Sequence, residues 1–294
     1  NFSKWLLTSF LTTSTFLLKI MARKYVSVLL ILAIRIERNP RLVSSRDAKP
    51  QEYPYVLSLH VVTPGFLTGA NQTVYIRFCT GSLITPTWVL TAAHCFVDDK
   101  LPAEFIRVRF GDRTKPLHEG DSLRKALKTV PHPGYFPHKL NSRFGSDLSP
   151  EDIALMQTEE VPIQPGRLSA IEYKSLTGLP VLYAGYGFSK SSAKVKALDY
   201  LTSPKPLHIG EGGIIPCDKD VPLIIPRTTM CVVARCNKIG QLAHQADSGG
   251  PLFFNDHIIG VSSVAHLNDV VDKSRFALYT PVSPYLDWIE SVIH

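Results

Sequence analysis

Three polar residues of this 294-residue chain lie in short segments whose residue types could together perform acyl transfer. His94 stands in Thr-Ala-Ala-His-Cys, Asp152 in Asp-Ile-Ala-Leu and Ser248 in Asp-Ser-Gly-Gly-Pro-Leu. A serine hydroxyl is a weak nucleophile at neutral pH, so it needs a histidine to accept its proton and a carboxylate to orient that histidine. The glycines after the serine allow a sharp turn and a close approach to a substrate.

Each of these segments has an ordinary explanation when it is taken alone. A histidine between alanine and cysteine is commonly a packed or capping residue, an aspartate can end a strand, and Asp-Ser-Gly-Gly-Pro can form a turn. All three together, in the order histidine, aspartate, serine, are much harder to explain by chance. The combination indicates nucleophilic catalysis by Ser248.

The elements that must position these residues are predicted to be short β-strands. β-rich runs at 55–62, 74–78, 88–91, 105–110, 181–184, 252–254 and 257–263 alternate with turn signals such as Pro133-Gly134 and Asn255-Asp256. Residues 135–152 and 201–216 have the composition of surface loops, and only the C-terminus has helical spacing. The pattern predicts an all-β chain with two barrels or sandwiches of about 120 residues each.

The positive charge of the chain is concentrated at its N-terminus. The formal net charge is +7, and residues 1–41 hold seven basic residues and one acidic residue, which leaves +1 for the other 253 residues. This body lacks the general basic charge that binds nucleic acids. The 45% hydrophobic content also excludes a disordered chain.

The N-terminal leader has two interpretations. Met-Ala-Arg-Lys at 21–24, followed by apolar residues 25–34, is typical of a secretory signal peptide, and residues 1–20 would then be translated upstream sequence. The alternative joins residues 5–34 into a membrane anchor, in which Arg23 and Lys24 would each cost about 2.5–3.5 kcal/mol. We favour a signal peptide and short propeptide over residues 21–41, and a secreted, extracellular protein.

Residues 42–294 resemble the chymotrypsin-like (trypsin-fold) serine proteases. The resemblance rests on the three motifs above, on Phe-Cys-Thr-Gly-Ser-Leu-Ile at 78–84, and on Tyr-Thr-Pro-Val and Tyr-Leu-Asp-Trp-Ile at 279–282 and 285–289. It implies two packed six-stranded antiparallel β-barrels, at about 53–160 and 175–280, with a C-terminal α-helix at about 283–293.

The resemblance implies a serine-type endopeptidase, a hydrolase that acts through an acyl-enzyme. His94 would be the general base, Asp152 its orienting carboxylate and Ser248 the nucleophile. The backbone N–H groups of Ala246 and Ser248 would form the oxyanion hole, and Ser263 would lie beside the aspartate and pair with the substrate backbone. No metal ion and no organic cofactor are expected.

The five cysteines suit a secreted protein, in which disulfides persist. Their odd number leaves one thiol over, as a free thiol or an intermolecular link. The resemblance implies the pairs Cys79–Cys95 and Cys217–Cys231, with Cys236 left over. The bridge that the family usually has beside the specificity pocket is missing.

Arg41-Leu42 resembles the zymogen cleavage site of the family. Cleavage after Arg41 by an activating protease would release the α-amino group of Leu42, which would pair with Asp247 and order the oxyanion loop. The alternative is a polar linker with an incidental arginine. Ser44 and Ser45 stand where the family typically has two glycines.

Four further positions, in the oxyanion loop and the specificity pocket, depart from the family pattern. Ala246 stands where glycine is usual, and Leu242 stands where trypsin-like members carry an aspartate. Ala265 and Ala277 replace glycines of the specificity pocket. These residues predict a shallow apolar pocket and a preference for small or medium apolar residues, rather than basic ones, at the cleavage site.

The sequence therefore predicts a secreted serine endopeptidase, made as a zymogen, that acts as a monomer on protein or peptide substrates and is open to protein inhibitors. No nucleic-acid partner is expected. The alternative is a weak or inactive homologue of these proteases that acts as a protein-binding module. The intact set of His94, Asp152 and Ser248 favours the enzyme, whereas Ala246 and the missing bridge favour the alternative.

Overall fold

The computed structural model describes residues 46–64, 73–96, 101–112, 114–115, 122–136, 151–187, 202–217, 228–234, 246–264 and 276–294. Almost all of them belong to one compact unit, Pro40–Val62 and Tyr75–His294. A second unit, Asn1–Asn39 and Thr63–Val74, contributes only residues 63, 64, 73 and 74 to the described part. Apart from Thr63 and Val74, which are end residues of two strands, everything below concerns the first unit.

Six strands close into a first barrel in the order β2-β3-β4-β7-β6-β5. Their bounds are β2 Val56–Thr63, β3 Val74–Thr85, β4 Trp88–Thr91, β5 Ile106–Arg109, β6 Leu123–Pro131 and β7 Ala154–Thr158. Aliphatic side chains fill the interior, and the fully buried ones include Leu57, Leu83, Val89, Ile106 and Met156. Burial of each such side chain stabilises the fold by about 1.5–3 kcal/mol.

The pairing of β4 with β7 determines where two of the predicted site residues lie. Thr91, the last residue of β4, is the Cα partner of Ala154, the first residue of β7. Because the strands are antiparallel, the chain leaves β4 and enters β7 at the same edge of the barrel. His94 follows that edge by three residues and Asp152 precedes it by two, so the register brings them together.

Six further strands form the second barrel, in the order β10-β11-β14-β13-β12-β9, closed by pairing of β9 with β10. Their bounds are β9 Pro180–Gly185, β10 His208–Ile215, β11 Met230–Ala234, β12 Pro251–Phe254, β13 His257–Val264 and β14 Phe276–Pro281. Two short strands extend the sheet: β1 Arg46–Asp47 pairs with β10, and β8 Arg167–Leu168 pairs with β13. The predicted turn between β12 and β13 has positive φ at Asn255 and Asp256, as a two-residue hairpin of type I′ requires.

The two barrels share a hydrophobic core. Leu90 and Leu155 of the first barrel belong to one buried cluster with Ile209 and Phe253 of the second barrel and with Ile289. Ile289 lies on the C-terminal helix α1, Leu286–Ile293. This helix packs back on the first barrel, where the His132 ring lies 4.9 Å from that of Trp288.

The fold-class prediction is confirmed, because the structure has two closed six-stranded antiparallel barrels and a short C-terminal helix. The prediction of a surface loop over residues 201–216 was wrong for its second half, which forms β10. No helix in the described ranges is long and apolar enough to cross a membrane.

Candidate active site

His94 lies in a 3-10 turn, Ala93–Phe96, that directly follows β4. The disulfide Cys79–Cys95 ties this turn to β3, and Ala92 and Ala93 are fully buried beneath it. The side chain of His94 is nevertheless 22% exposed. The disulfide and the buried alanines therefore fix the turn, while the imidazole remains partly accessible to solvent.

Asp152 is buried and accepts three hydrogen bonds. Its Oδ1 accepts from the backbone N–H of His94 at 2.8 Å, and its Oδ2 contacts His94 Nδ1 at 2.7 Å and accepts from Ser263 Oγ at 2.6 Å. An ionised carboxylate can only accept, so this contact places the ring proton on Nδ1. The other ring nitrogen, Nε2, is then an acceptor in the neutral imidazole.

Ser263 reaches Asp152 from the second barrel because β13 is irregular at this point. The pairing of β13 with β14 shifts between Ser262 and Val264, so Ser263 has no Cα partner in the ladder. A β-bulge of this kind redirects one side chain without ending the strand. Ser263 therefore lies beside Asp152, the position that the family resemblance implies for it.

Ser248 lies in a tight turn immediately before β12. Gly250 N–H donates to Asp247 O and Gly249 N–H donates to Ser262 O, both at 2.8 Å. Two residues of this turn have positive φ, Ala246 at 68° and Gly249 at 81°. Within the described part of the chain, neither the Ala246 N–H nor the Ser248 N–H donates a hydrogen bond to a protein group.

Of the three predicted catalytic residues, two are in direct contact and the third lies nearby. His94 and Asp152 are joined directly. Ser248 lies beside the histidine turn, where Cys95 Sγ is 3.9 Å from its carbonyl oxygen. A hydrogen bond between Ser248 Oγ and the His94 ring is not formed in this structure, although both residues are described. Such bonds are often long without substrate and shorten when it binds.

The carboxylate of Asp247 is held by the chain that follows β9. Gly187 N–H donates to its Oδ1 at 2.6 Å. A Cβ atom on Gly185 or Gly187 would lie only 2.0 or 2.2 Å from an oxygen of this carboxylate, so a side chain at either position would displace the carboxylate. Burial, and next the charge of Asp247, raise the pKa of Tyr183, which therefore stays neutral.

Several predicted residues lie outside the described ranges: the cleavage site Arg41-Leu42, the pocket residues Leu242 and Ala265, and Cys236. Ala277 is described and is 1% exposed on β14, in a core cluster with Met230 and Tyr279. A second disulfide, Cys217–Cys231, joins the segment after β10 to β11.

One group of side chains near the site has the composition of a metal site. The ligand atoms of Cys79, His94 and Cys95 lie within 4.8 Å of one another. Both sulfurs are bonded to each other in the disulfide. Because metals bind the thiolate form of cysteine, this group cannot supply two sulfur ligands.

Thr80 is a residue of the site to which the sequence analysis gave no role. It lies on β3, next to Cys79, and is fully buried. Its Oγ1 donates to Ala246 O at 2.7 Å, and its N–H donates to Ser248 O at 2.8 Å. No signal in the sequence points to these contacts, because 166 residues separate Thr80 from Ala246.

The arrangement has the chemical properties of an activated nucleophile site. An imidazole whose Nδ1–H is held by a buried carboxylate presents a basic Nε2. Two backbone N–H groups of one turn, when they have no other acceptor, can stabilise negative charge on an oxygen bound between them.

Comparison with known proteins places the chain in a family. The Trypsin family profile matches residues 42–289. Serine protease SSP1 of Scolopendra subspinipes is 26% identical over 270 residues, which are 87% of this chain and 85% of that protein. Anionic trypsin of Bos taurus is 29% identical over 268 residues, and Serine protease 1 of Homo sapiens is 27% identical over 269, with each alignment covering 89% of this chain and 93% of the relative. Because the profile spans well over half of the residues, the chain belongs to the Trypsin family of chymotrypsin-like serine proteases.

Proposed function

We propose that the protein is a serine endopeptidase, made as a zymogen, that hydrolyses peptide bonds through an acyl-enzyme. The observation that carries this proposal is the double contact between Asp152 and His94, through the backbone N–H and through Nδ1. Two bonds from one carboxylate define the tautomer of the ring as well as its orientation. A histidine packed for stability alone would not need both.

In the proposed mechanism, His94 Nε2 takes the proton of the Ser248 hydroxyl as its oxygen attacks the substrate carbonyl carbon. The carbonyl oxygen becomes negative and accepts hydrogen bonds from the Ala246 and Ser248 N–H groups. The imidazolium then gives its proton to the leaving amine, and the acyl-enzyme forms. Water, activated by the same imidazole, releases the acid and restores the hydroxyl.

Activation is proposed to follow cleavage after Arg41. The new α-amino group of Leu42 would pair with Asp247, whose carboxylate is held beside Gly187. An amine of this type has an ordinary pKa of about 7.7–8.0, so the pair would weaken as the pH rises above that range. Activity is therefore proposed to depend on an activating protease and to decline in alkaline solution.

The surroundings of the protein are proposed to be extracellular. The leader pattern at residues 21–41 and the two disulfides support secretion. The substrates would be proteins or peptides, protein inhibitors would act at the same cleft, and the enzyme would work as a monomer without a cofactor.

Labelling with a fluorophosphonate tests the proposed chemistry. The full chain, cleaved after Arg41 with immobilised trypsin that is then removed, should react at Ser248. The His94→Ala variant should react at least about 10³-fold more slowly because the hydroxyl then has no base. Mass spectrometry of the labelled peptide gives the site.

The matched control for this labelling is His294→Ala, which removes an exposed histidine at the C-terminus and should label like the unchanged chain. A folded, cleaved sample that does not label would overturn the proposed function. That outcome would favour the second candidate, a protein-binding homologue. The specific observation for it is the left-handed conformation of Ala246 in the turn of residues 246–250, which we call the oxyanion turn.

The proposed preference for apolar residues follows from Leu242, Ala265 and Ala277. With no aspartate at position 242, a basic side chain at the cleavage site has no counter-charge. Peptide anilides that differ only in their last residue should give kcat/KM values at least about 10-fold higher for alanine or valine than for arginine. Concentrations are normalised by titration with the phosphonate, and efficient cleavage after arginine would contradict the preference.

A further inference from the structure

Thr80 contacts the oxyanion turn at two of its residues, Ala246 and Ser248. Its Oγ1 donates to Ala246 O at 2.7 Å, and its N–H donates to Ser248 O at 2.8 Å. These carbonyls belong to the same two residues whose N–H groups the proposed mechanism uses. One buried residue of the first barrel therefore fixes both carbonyls of a turn that belongs to the second.

The Thr80 hydroxyl is itself oriented by its neighbours. Tyr186 N–H donates to Oγ1 at 3.4 Å, so one lone pair of the oxygen is used. The Tyr186 side chain is fixed in turn, because its hydroxyl donates to Val56 O at 2.9 Å and is buried. The single hydrogen of the Thr80 hydroxyl is then committed to Ala246 O.

The backbone of Thr80 is anchored next to the histidine turn. Thr91 Oγ1 donates to Thr80 O at 2.8 Å, and Thr91 ends the strand that precedes His94. The neighbouring residue, Cys79, is bonded to Cys95. Thr80 is thus rigidly connected to the part of the site that holds the proposed base.

Ala246 needs such a contact more than a glycine would. Its φ of 68° is in the left-handed region, where the Cβ of an L-amino acid is crowded by the following carbonyl. The relaxed conformation, with negative φ, would turn the Ala246 N–H relative to its carbonyl. A hydrogen bond that holds the carbonyl opposes this relaxation on the side of the 246–247 peptide unit, which can then no longer rotate freely.

We infer that Thr80 is a positioning residue for the oxyanion hole: its hydroxyl holds the Ala246 carbonyl and so opposes the rotation at Ala246 that would turn the N–H of this residue away from the substrate oxygen. The inference rests on the proposed function, because it concerns the oxyanion hole of that reaction. In this chain the Thr80 hydroxyl would also offset the strain that Ala246 introduces into the turn.

The test compares Thr80→Val with Thr80→Ser in the full, Arg41-cleaved chain. Valine keeps the shape and removes the hydroxyl, so kcat on a peptide anilide should fall about 10-fold while KM changes less than two-fold. Serine keeps the hydroxyl and should restore kcat to within about two-fold of the unchanged chain. Hydrogen exchange of residues 246–250, followed by mass spectrometry, should be faster in Thr80→Val than in Thr80→Ser.

Thr85→Val is the matched control on the same strand. Thr85 Oγ1 accepts from the N–H groups of Thr87 and Trp88, far from the oxyanion turn, so this variant makes the same chemical change without touching Ala246. It should keep kcat even where it lowers the unfolding midpoint. In a chain that also carries Ala246→Gly, the loss caused by Thr80→Val should shrink to about two-fold, because glycine has no left-handed penalty.

The outcomes separate this inference from the proposed function. If the unchanged chain is active and Thr80→Val has the same kcat, the role of Thr80 is overturned. An equal loss of kcat in Thr85→Val would also overturn it. In both cases the proposed function of the protein still stands. If the cleaved chain is inactive, the proposed function fails, and the exchange rates of residues 246–250 still decide whether the hydroxyl holds the turn. If Thr80→Val does not fold, Thr80→Ala removes the same hydroxyl and takes its place in each comparison.

Discussion

Asp152→Asn should lower kcat by about 10⁴-fold, the size typical of a wrong tautomer in a Ser-His-Asp triad. In the structure, Asp152 Oδ1 accepts from the His94 backbone N–H, and Oδ2 faces both His94 Nδ1 and Ser263 Oγ. An asparagine has one accepting oxygen. The His94 N–H needs this acceptor, so the amide NH₂ must face the ring. The ring then accepts at Nδ1, carries its proton on Nε2 and cannot take the proton of Ser248.

Ser263→Ala is the control for this prediction, because it removes one donor to Asp152 Oδ2 and leaves the tautomer unchanged. We expect a loss of about 10-fold in kcat, the effect of one hydrogen bond to a charged group. Both variants are measured with a peptide anilide, and their near-ultraviolet circular dichroism should match that of the unchanged chain. Equal losses in the two variants would show that the tautomer argument is wrong.

In the second barrel, sequence patterns predict some of the strands but not β10. The apolar runs at 181–184, 252–254 and 257–263 lie within β9, β12 and β13, because alternation of β-branched and aromatic residues is a local signal. Strand β10 has no such signal, since three of its eight residues are glycines. At Gly210 the reason is a distant neighbour, because a Cβ there would lie 2.1 Å from the Tyr183 ring on β9.

The same distinction applies to the candidate site. The motifs around His94, Asp152 and Ser248 are local, so their residue types could be read from the chain. The contact of His94 with Asp152 depends on the register of β4 with β7. The contact of Ser263 with Asp152 depends on a bulge in β13. The contacts of Thr80 depend on the packing of the first barrel against a turn of the second barrel. Each of these is a property of pairing over long sequence separations, which single-residue propensities do not encode.

These long-range contacts also explain why the site tolerates an alanine in the oxyanion turn. The turn is held at Ser262 O, at Thr80 N and at Thr80 Oγ1, which are three groups on two strands, β13 and β3. A strained residue persists only where its surroundings overdetermine its conformation. The turn should accordingly be sensitive to changes in the strands behind it as well as in its own residues.

Gly249→Ala should have the largest effect on both folding and turnover among single glycine substitutions in this turn. A Cβ at Gly249 would lie 2.0 Å from Thr91 Oγ1 and 2.3 Å from the backbone oxygen of Thr80, and φ at this residue is 81°. The backbone oxygen cannot move aside, because β3 is fixed by its neighbours and by the disulfide at Cys79. Left-handed strain and overpacking together should lower the free energy of unfolding by about 2–5 kcal/mol. Since Ser248 is adjacent, fluorophosphonate labelling should be lost.

Gly178→Ala separates the two causes in this last experiment. Gly178 has a φ of 87°, but nothing lies within 4 Å of the position that its Cβ would occupy. In this variant only the left-handed strain should lower the free energy of unfolding, by about 1–2 kcal/mol as measured in urea. Ser248 should be labelled at the normal rate. A Gly249→Ala chain as stable as Gly178→Ala would mean that the strands behind the turn can yield, and the argument that they hold Ser248 in place would fail with it.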